Sequence, residues 1–198
     1  MYYSDFTLEK VQKAFDLTIS EDVDLFANVP ELEPSALLTE FLQDNAQLAL
    51  KINTEKARSE MIIAPILLDL RKQVSSKISL FSGVDFNVDI ERGLNGTCDY
   101  IISKSPEQLF LKSPVIVLVE AKKENIGAGI GQCASEMLAA QLFNDREGNQ
   151  IPVILGVVTS GNIWRFLELS EKHLRVDATE YYLKDINKVL GIFANQMQ

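Results

Sequence analysis

The sequence lacks the features of a membrane-spanning or secreted protein. No stretch approaches the roughly eighteen consecutive apolar residues of a membrane span. Residues 1–6 show no basic segment leading into an apolar one, as a secretory signal would. The two cysteines, Cys98 and Cys133, form no closely spaced metal-binding pair, and we expect both to be reduced and buried. These absences favour a protein of the cytoplasm that does not contact a membrane.

Histidine and positive charge are also scarce. The single histidine, His173, lies in a polar segment and leaves no basis for a His-rich metal site or a His-based catalytic triad. The formal net charge of −9 argues against a protein that simply coats nucleic acid, because neutralisation of phosphates supplies most non-specific affinity. No Gly-xxxx-Gly-Lys-Ser/Thr loop occurs, which excludes the phosphate-binding loop of an ATP-driven motor.

What the chain has is enough apolar sequence for one full core. With 198 residues, of which 46% are hydrophobic, it is long enough to fold as a single domain. Helical and strand-like patterns alternate along it, which predicts an α/β fold. We expect an N-terminal helical extension over residues 1–53 and the main domain over residues 54–198, together forming one compact unit.

The hydrophobic patterns predict the elements of that main domain. A helix should begin after the capping residue Thr54, with Pro65 as a kink inside it. The predicted strands are 78–81, 85–90, 97–102, 114–122, 152–158, 163–169 and 174–178. A helix over 130–142 should follow the fourth strand, and a last helix should begin near Leu183.

An acid and a base end the most apolar of these strands. Glu120, Ala121 and Lys122 directly follow the run Val-Ile-Val-Leu-Val. Because strand side chains alternate between faces, Glu120 and Lys122 should project to the same side of the sheet. A charge at the end of a buried strand costs several kcal/mol unless it is compensated. The alternative is an ordinary salt bridge at the protein surface.

A second acid, Asp99, interrupts the shorter apolar segment 96–102. Two carboxylates and a backbone carbonyl suffice for Mg²⁺, which prefers oxygen ligands and keeps several waters. The predicted ligands are therefore Asp99, Glu120 and the carbonyl oxygen of Ala121, with Mn²⁺ as an alternative metal. The ammonium of Lys122, next to both acids, could hold an attacking water or offset charge on a phosphate. This equipment suits phosphodiester hydrolysis.

Two helical residues could complete the site. Glu60, in the helix that begins after Thr54, could add an outer carboxylate or bind the metal through water. Gln132, early in the helix that follows the lysine, could orient Lys122 or the substrate. The alternative for Glu60 is a solvated helix glutamate, and for Gln132 a structural role.

In this order, Glu60, Asp99, Glu120-Ala-Lys122 and Gln132 resemble the motifs of the PD-(D/E)xK nuclease superfamily. The resemblance is strongest to the N-terminal nuclease domain of type I restriction enzyme R subunits, and it covers about residues 54–169. It implies a restriction-endonuclease-like fold, in which helices flank a mixed central sheet. It also implies Mg²⁺-dependent cleavage of DNA, in a restriction, repair or mobile-element context. A partner protein could supply DNA affinity, and a homodimer is possible.

The sequence departs from the family pattern at two positions. Cys98 precedes the first acid, where the motif has proline. The Gln-xxx-Tyr pattern of many relatives is here Gln132-xxx-Glu136, which puts the DNA-binding role of that helix in doubt. The non-enzymatic alternative is a nuclease fold retained as a DNA-binding or assembly module.

The glycine-rich segment Ile-Gly-Ala-Gly-Ile-Gly at 126–131 offers a third reading. A dinucleotide-binding fingerprint would need glycine at position 132, which is glutamine, and a strand immediately before the first glycine. A flexible loop over the active site explains the glycines better, since such a loop could admit substrate.

Overall fold

A computed structural model of the chain describes residues 1–74 and 78–197. Residues 75–77 and 198, which belong to the predicted main domain, lie outside the described residues. The helices are α1 Leu8–Phe15, α2 Ala36–Ile52, α3 Glu55–Arg58, α4 Ala64–Gln73, α5 Ile126–Arg146 and α6 Ile186–Gln196. The strands are β1 Thr18–Ser20, β2 Ser79–Asp85, β3 Thr97–Ser103, β4 Val115–Ala121, β5 Ile154–Thr159, β6 Ile163–Ser170 and β7 His173–Tyr182.

The strands form one mixed sheet of seven, in the order β1-β7-β6-β5-β4-β3-β2. The pairs β1–β7 and β4–β5 are parallel, and the other neighbours are antiparallel. Helices flank this sheet, so the predicted α/β class with a mixed central sheet is confirmed. In the described ranges, no helix has both the length and the apolar character needed to cross a membrane.

Each face of the sheet carries its own hydrophobic cluster. On one face, α1 and α5 cover side chains such as Leu118 and Val158. On the other, α2, α4 and α6 cover Val117 and Val119 of β4, together with Trp164. Because β4 is buried on both faces, its near-continuous apolar sequence is the pattern expected of a central strand. The strand therefore carries its terminal acid into the middle of the fold.

The N-terminal residues are part of this architecture. Strand β1 pairs in parallel with β7 and extends the sheet by one strand. No strand was predicted at residues 18–20, because β1 has only three residues and no hydrophobic alternation. Helix α1 packs against α5, and its Val11 and Phe15 join the cluster on that face. Residues 1–53 thus contribute two helices and one sheet strand.

The predicted helix after Thr54 has an irregular first half. The Thr54 hydroxyl accepts a hydrogen bond from the backbone N–H of Ala57 at 3.1 Å, which confirms the predicted cap. After the short α3, one wide π-helical turn spans Ser59–Ile63 and leads directly into α4. Pro65 sits in the first turn of α4, where its missing N–H is tolerated best.

Two local predictions were wrong. Residues 86–90 do not form a strand: β2 ends at Asp85, and beyond it the regular ladder gives way to scattered bonds, such as the Phe86 N–H to the Gly96 oxygen at 2.8 Å and the Gly96 N–H to Asn87 Oδ1 at 3.0 Å. The glycines at 127, 129 and 131 lie inside α5 and form no loop. That helix begins early because the side chain of Asn125 caps it, accepting from the N–H of Ala128 at 3.1 Å.

Candidate active site

Strands β3 and β4 stop pairing at the point where the predicted acids Asp99 and Glu120 lie. Their last paired residues in this direction are Tyr100 and Val119, so Asp99 and Glu120 come next on the two strands. In place of a further backbone ladder, Asp99 Oδ2 accepts a hydrogen bond from the backbone N–H of Ala121 at 2.7 Å. The two predicted carboxylates are thus neighbours on the α5 side of the sheet, at the end of β4.

Glu120 and Lys122 form a buried ion pair. Lys122 Nζ lies 2.5 Å from Glu120 Oε1, with 2% of the Glu120 side chain and 25% of the Lys122 side chain exposed. The predicted projection of both side chains to one face is therefore correct. Because it is buried, this pair differs from exposed salt bridges, which contribute little to stability. Removing one partner of a buried pair typically costs about 3–5 kcal/mol, because the other charge stays uncompensated.

Gln132 joins this pair from α5. Its Oε1 accepts a hydrogen bond from Lys122 Nζ at 3.0 Å, as expected for a residue that orients the lysine. Its Nε2 donates to Glu136 Oε1 at 3.1 Å, one helical turn further on. Two side chains, Glu120 of β4 and Gln132 of α5, thus contact the ammonium of Lys122 and hold it in position.

Glu136 is the site residue that sequence reasoning missed. Its side chain is completely buried, and its neighbours one turn away on α5, Cys133 and Ala140, are buried too. An acid on the buried stripe of a helix is the signal that could have identified it, since unpaired acids are almost never fully buried. The sequence analysis treated this residue only as a departure from a Gln-xxx-Tyr pattern.

The carboxyl groups of Glu120 and Glu136 lie close enough to interact electrostatically. Glu120 Oε2 and Glu136 Oε2 are both buried, and in the described part of the chain neither has a hydrogen-bond partner. Since an ionised carboxylate only accepts hydrogen bonds, two neighbouring carboxylates cannot satisfy each other. A proton or a cation at this place would satisfy both oxygens.

Burial dominates the electrostatics of the carboxyl groups. It raises the pKa of Glu136 well above its usual value, and the nearby charge of Glu120 raises it further. Burial and the charge of Asp99 raise the pKa of Glu120 to about 7, against the opposing effect of Lys122. The pKa of Asp99 is also raised by burial, although the Ala121 N–H and Lys122 counteract this. Burial therefore favours the neutral form of each of these carboxyl groups.

Lys122 remains a cation in this setting. Burial lowers the pKa of its ammonium, but the charges of Glu120, Glu55 and Asp99 outweigh that effect and raise it overall. Glu55, in the first turn of α3, was not predicted as a site residue. The junction before α3 is tied to the same region, since Asn53 Nδ2 donates to Glu124 Oε1 at 3.2 Å.

Glu60 does not join the other predicted residues. It lies in the π-helical turn with 62% of its side chain exposed, and its ion pair is with Lys56 at 3.8 Å. The helix that carries it packs on the opposite face of the sheet from α5. It lines an apolar groove of about 460 Å³ between α2 and α4, together with Phe41 and Leu68. The structure thus gives Glu60 the position of a solvated helix glutamate.

The glycines of α5 serve close packing at the site. A Cβ atom at Gly129 would lie 2.6 Å from Val158 Cγ1 and 3.1 Å from Lys122 Cγ. At Gly131 it would lie 2.4 Å from the backbone carbonyl carbon of Thr7. The first turns of α5 can approach β4, β5 and the N-terminal segment only because these positions lack side chains. The glycines therefore serve close packing and do not form the predicted flexible loop.

The carboxylate oxygens at the end of β4 meet part of what a hard divalent cation requires. Over residues 1–74 and 78–197, no group of three or more His, Cys, Asp or Glu side chains is placed to hold a metal ion. Asp99 and Glu120 nevertheless offer two neighbouring carboxylates, and Glu120 Oε2 lacks a conventional donor. Mg²⁺ is often held by one or two carboxylates, with water and substrate phosphate completing its shell. The pair Asp99 and Glu120 therefore has the chemistry that Mg²⁺ or Mn²⁺ prefers, and the ligand role of the Ala121 carbonyl oxygen stays a prediction.

Comparison with known proteins adds no relative to this description. No family model, no curated protein and no solved structure matches the chain.

Proposed function

We propose that this protein is a metal-dependent nuclease that hydrolyses phosphodiester bonds in DNA. The observation that carries the proposal is the meeting of Asp99, Glu120 and Lys122 where β3 and β4 separate. A purely structural ion pair at a strand end would need neither a second carboxylate beside it nor an oxygen left without a donor. The proposed relationship to the PD-(D/E)xK nucleases rests on the order of these same residues along the chain.

Each residue has a definite task in this proposal. Asp99 and Glu120 would hold Mg²⁺ or Mn²⁺, and the Ala121 carbonyl would add a ligand. When bound, the metal stabilises negative charge on the phosphate and promotes ionisation of a bound water. Lys122, kept charged by Glu120, would donate to a phosphate oxygen or hold the attacking water. Gln132 would keep the lysine in place through the 3.0 Å hydrogen bond.

The net charge of −9 shapes how such an enzyme would meet its substrate. Long-range electrostatics disfavour the approach of an acidic protein to DNA, because both carry negative charge. A partner protein that supplies positive charge would remove this difficulty. We therefore propose that DNA cleavage is stimulated by a basic partner and is slow for the isolated chain.

Nicking of supercoiled plasmid DNA in Mg²⁺ or Mn²⁺ at low salt tests the proposal. Lys122→Ala should abolish nicking, whereas Lys123→Ala removes the same charge from the adjacent, exposed position and should leave nicking unchanged. Asp99→Ala should behave like Lys122→Ala. Equal nicking by wild type and Lys122→Ala would trace the activity to a contaminant and refute the proposal.

A second candidate function is a non-enzymatic DNA-binding or assembly module. The observation in its favour is that the site is satisfied internally: Asp99 Oδ2 is occupied by the Ala121 N–H, and Glu120 Oε1 by Lys122. Such a module would bind DNA or a partner without Mg²⁺ and without cleaving the DNA. Gel-shift assays in EDTA, beside the nicking assay in Mn²⁺, distinguish the two functions.

A further inference from the structure

Helix α2 has two apolar faces, and only one of them packs into the core. The inner face buries Leu38, Ala46 and Ala49. The outer face carries four large apolar side chains that are exposed, which we call the outer stripe: Leu37, Phe41, Leu48 and Ile52. With about 3.6 residues per turn and 1.5 Å of rise per residue, the stripe covers about 60° of the helix surface and is about 22 Å long.

The outer stripe continues beyond α2. Leu37 and Phe41 line one side of the groove of about 460 Å³, and Leu68 of α4, which is 58% exposed, lines the other. A surface helix normally turns charged and polar side chains to solvent on its outer face. A contiguous exposed apolar patch instead marks a surface that binds another protein. We therefore expect a partner to cover the stripe and the adjoining groove.

The spacing of the outer stripe is symmetric about its centre. Leu37 and Phe41 are four residues apart, Leu48 and Ile52 are also four apart, and the midpoint lies between residues 44 and 45. The stripe therefore presents apolar side chains at the same positions when it is turned end for end. A symmetric homodimer requires a surface that is complementary to itself in this way. We propose that a second copy of this chain binds here, with the two α2 helices antiparallel across a two-fold axis near Asp44.

The antiparallel arrangement matches apolar side chains along the whole stripe. Leu37 would face the partner's Ile52, and Phe41 would face the partner's Leu48. The C-terminal half of the partner's α2 would then lie over the mouth of the groove and cover Leu68 as well. Every exposed apolar side chain of this patch would lose contact with water, which is the main driving force for association.

The charges beside the stripe fit the same register. Glu40 and Lys51 are exposed on the same flank of the stripe, and among the residues that the structure describes neither has an ion-pair partner. Two-fold rotation places Glu40 and the partner's Lys51 on the same side, about 3 Å apart along the helix axis. The two copies of Asp44 would meet near the axis and oppose this pairing.

The overall charge does not prevent association at moderate salt. Two copies, each with a net charge of −9, repel each other at long range. In 0.15 M salt the Debye length is about 8 Å, so this repulsion is confined to charges near the interface. There, Glu40 and Asp44 stand beside Lys51, so neither sign dominates.

The molar mass of the whole chain as a function of concentration tests the proposal. The patch is small for a protein interface, so we expect a weak dimer that forms at roughly 10 µM and above. Sedimentation velocity from about 1 to about 100 µM, in about 0.15 M salt, should show the mass rising from 22.2 kDa towards twice that value. A monomer at every concentration would overturn the proposal.

A matched pair of variants tests whether the outer stripe forms the interface. Leu48→Asp places a charge inside the stripe, whereas Gln43→Asp places the same residue at an exposed position of α2 outside it. Both variants introduce the same poor helix former into the middle of one helix. Leu48→Asp should raise the dissociation constant at least about 30-fold, because it buries a charge, and Gln43→Asp should change it less than about twofold. Equal effects would overturn the proposal.

An exchange of charges tests the antiparallel register. Glu40→Lys and Lys51→Glu should each weaken the dimer about tenfold, because each turns two attractive contacts into repulsive ones. The double variant carries the same pairs in exchanged positions and should dimerise like wild type. A double variant as weak as either single one would overturn this arrangement.

Asp44→Asn distinguishes a second copy from a basic partner on the same stripe. Removing the like charges at the two-fold axis should lower the dissociation constant of the dimer severalfold. A weaker dimer in this variant would overturn the symmetric pairing. None of the altered residues lies at the end of β4, so these results are independent of whether the protein is a nuclease.

Discussion

Replacing Glu120 with glutamine should flatten the dependence of the protein's stability on pH. In the folded protein the pKa of Glu120 is about 7, against 4.5 for an unperturbed glutamate, because the side chain is buried beside Asp99. A raised pKa means that the folded state binds the proton more tightly than the unfolded chain does. This contribution to stability is complete below pH 4.5 and is lost as the pH rises through about 7.

The size of the effect follows from the difference between the two pKa values. Roughly 2.5 pH units, at about 1.4 kcal/mol each, correspond to about 3 kcal/mol in total. Most of this, about 2–3 kcal/mol, should be lost between pH 5 and pH 8. Glu120→Gln cannot take up or release this proton, so that share of the pH dependence should be absent from the variant. The variant should differ least from wild type at pH 5, because Glu120 is then mostly protonated in the wild type too.

Urea denaturation at pH 5, 6, 7 and 8, in EDTA to exclude metal binding, measures the difference. The free energy of unfolding should fall more steeply with pH in wild type than in Glu120→Gln. Carboxyl groups away from Glu120 contribute equally to both proteins and cancel in the comparison, whereas the pKa of Glu136 loses the raising effect of the Glu120 charge in the variant. Parallel curves for the two proteins would mean that Glu120 titrates as an ordinary glutamate, and the burial argument would be refuted.

Three further changes test other parts of the site. Mg²⁺ should raise the melting temperature more at pH 8 than at pH 6, because the metal and protons compete for the same carboxyl oxygens. Asp99→Ala should abolish this rise. An equal rise at both pH values would contradict binding of the metal by these carboxyl groups. Gly129→Ala should destabilise the fold by about 1–3 kcal/mol in urea denaturation, since its Cβ would lie 2.6 Å from Val158 Cγ1. The matched control Gly127→Ala has only a side-chain oxygen at 3.5 Å and should be neutral or stabilising by up to about 1 kcal/mol, so equal effects at both glycines would contradict the close approach. Glu60→Ala should leave the rate of nicking unchanged and alter the stability by no more than about 0.5 kcal/mol, because the side chain is exposed and away from the other carboxylates. A tenfold slower rate would show that Glu60 belongs to the active site.

The central elements of the fold were predictable because their sequences carry strong periodicity. Strand β4 reads as a continuous apolar run, and the structure buries it on both faces. Strand β1 could not be found this way, since its three residues gain their strand conformation from pairing with β7. The glycines of α5 misled the prediction, because glycine usually breaks helices and here permits contact with Val158 and Thr7.

The placement of the candidate site residues was predictable where strand geometry constrains it. Alternation along β4 is enough to place Glu120 and Lys122 on one face, and Asp99 lies on the neighbouring strand. No such constraint applied to Glu60, because an acid on a helix can face solvent or protein with the same local sequence. The burial of Glu136 could have been inferred from its neighbours on the helix, but its closeness to Glu120 depends on how α5 packs against β4.

The pairing of β1 with β7 has a practical consequence for dissecting the molecule. A fragment starting at residue 54 would keep Asp99, Glu120 and Lys122 but would uncover the hydrogen-bonding edge of β7. It would also strip the covering of α1 from α5, the helix that holds Gln132 against the lysine. Such a fragment should aggregate or lose activity, so a minimal version of this protein should retain residues 1–53.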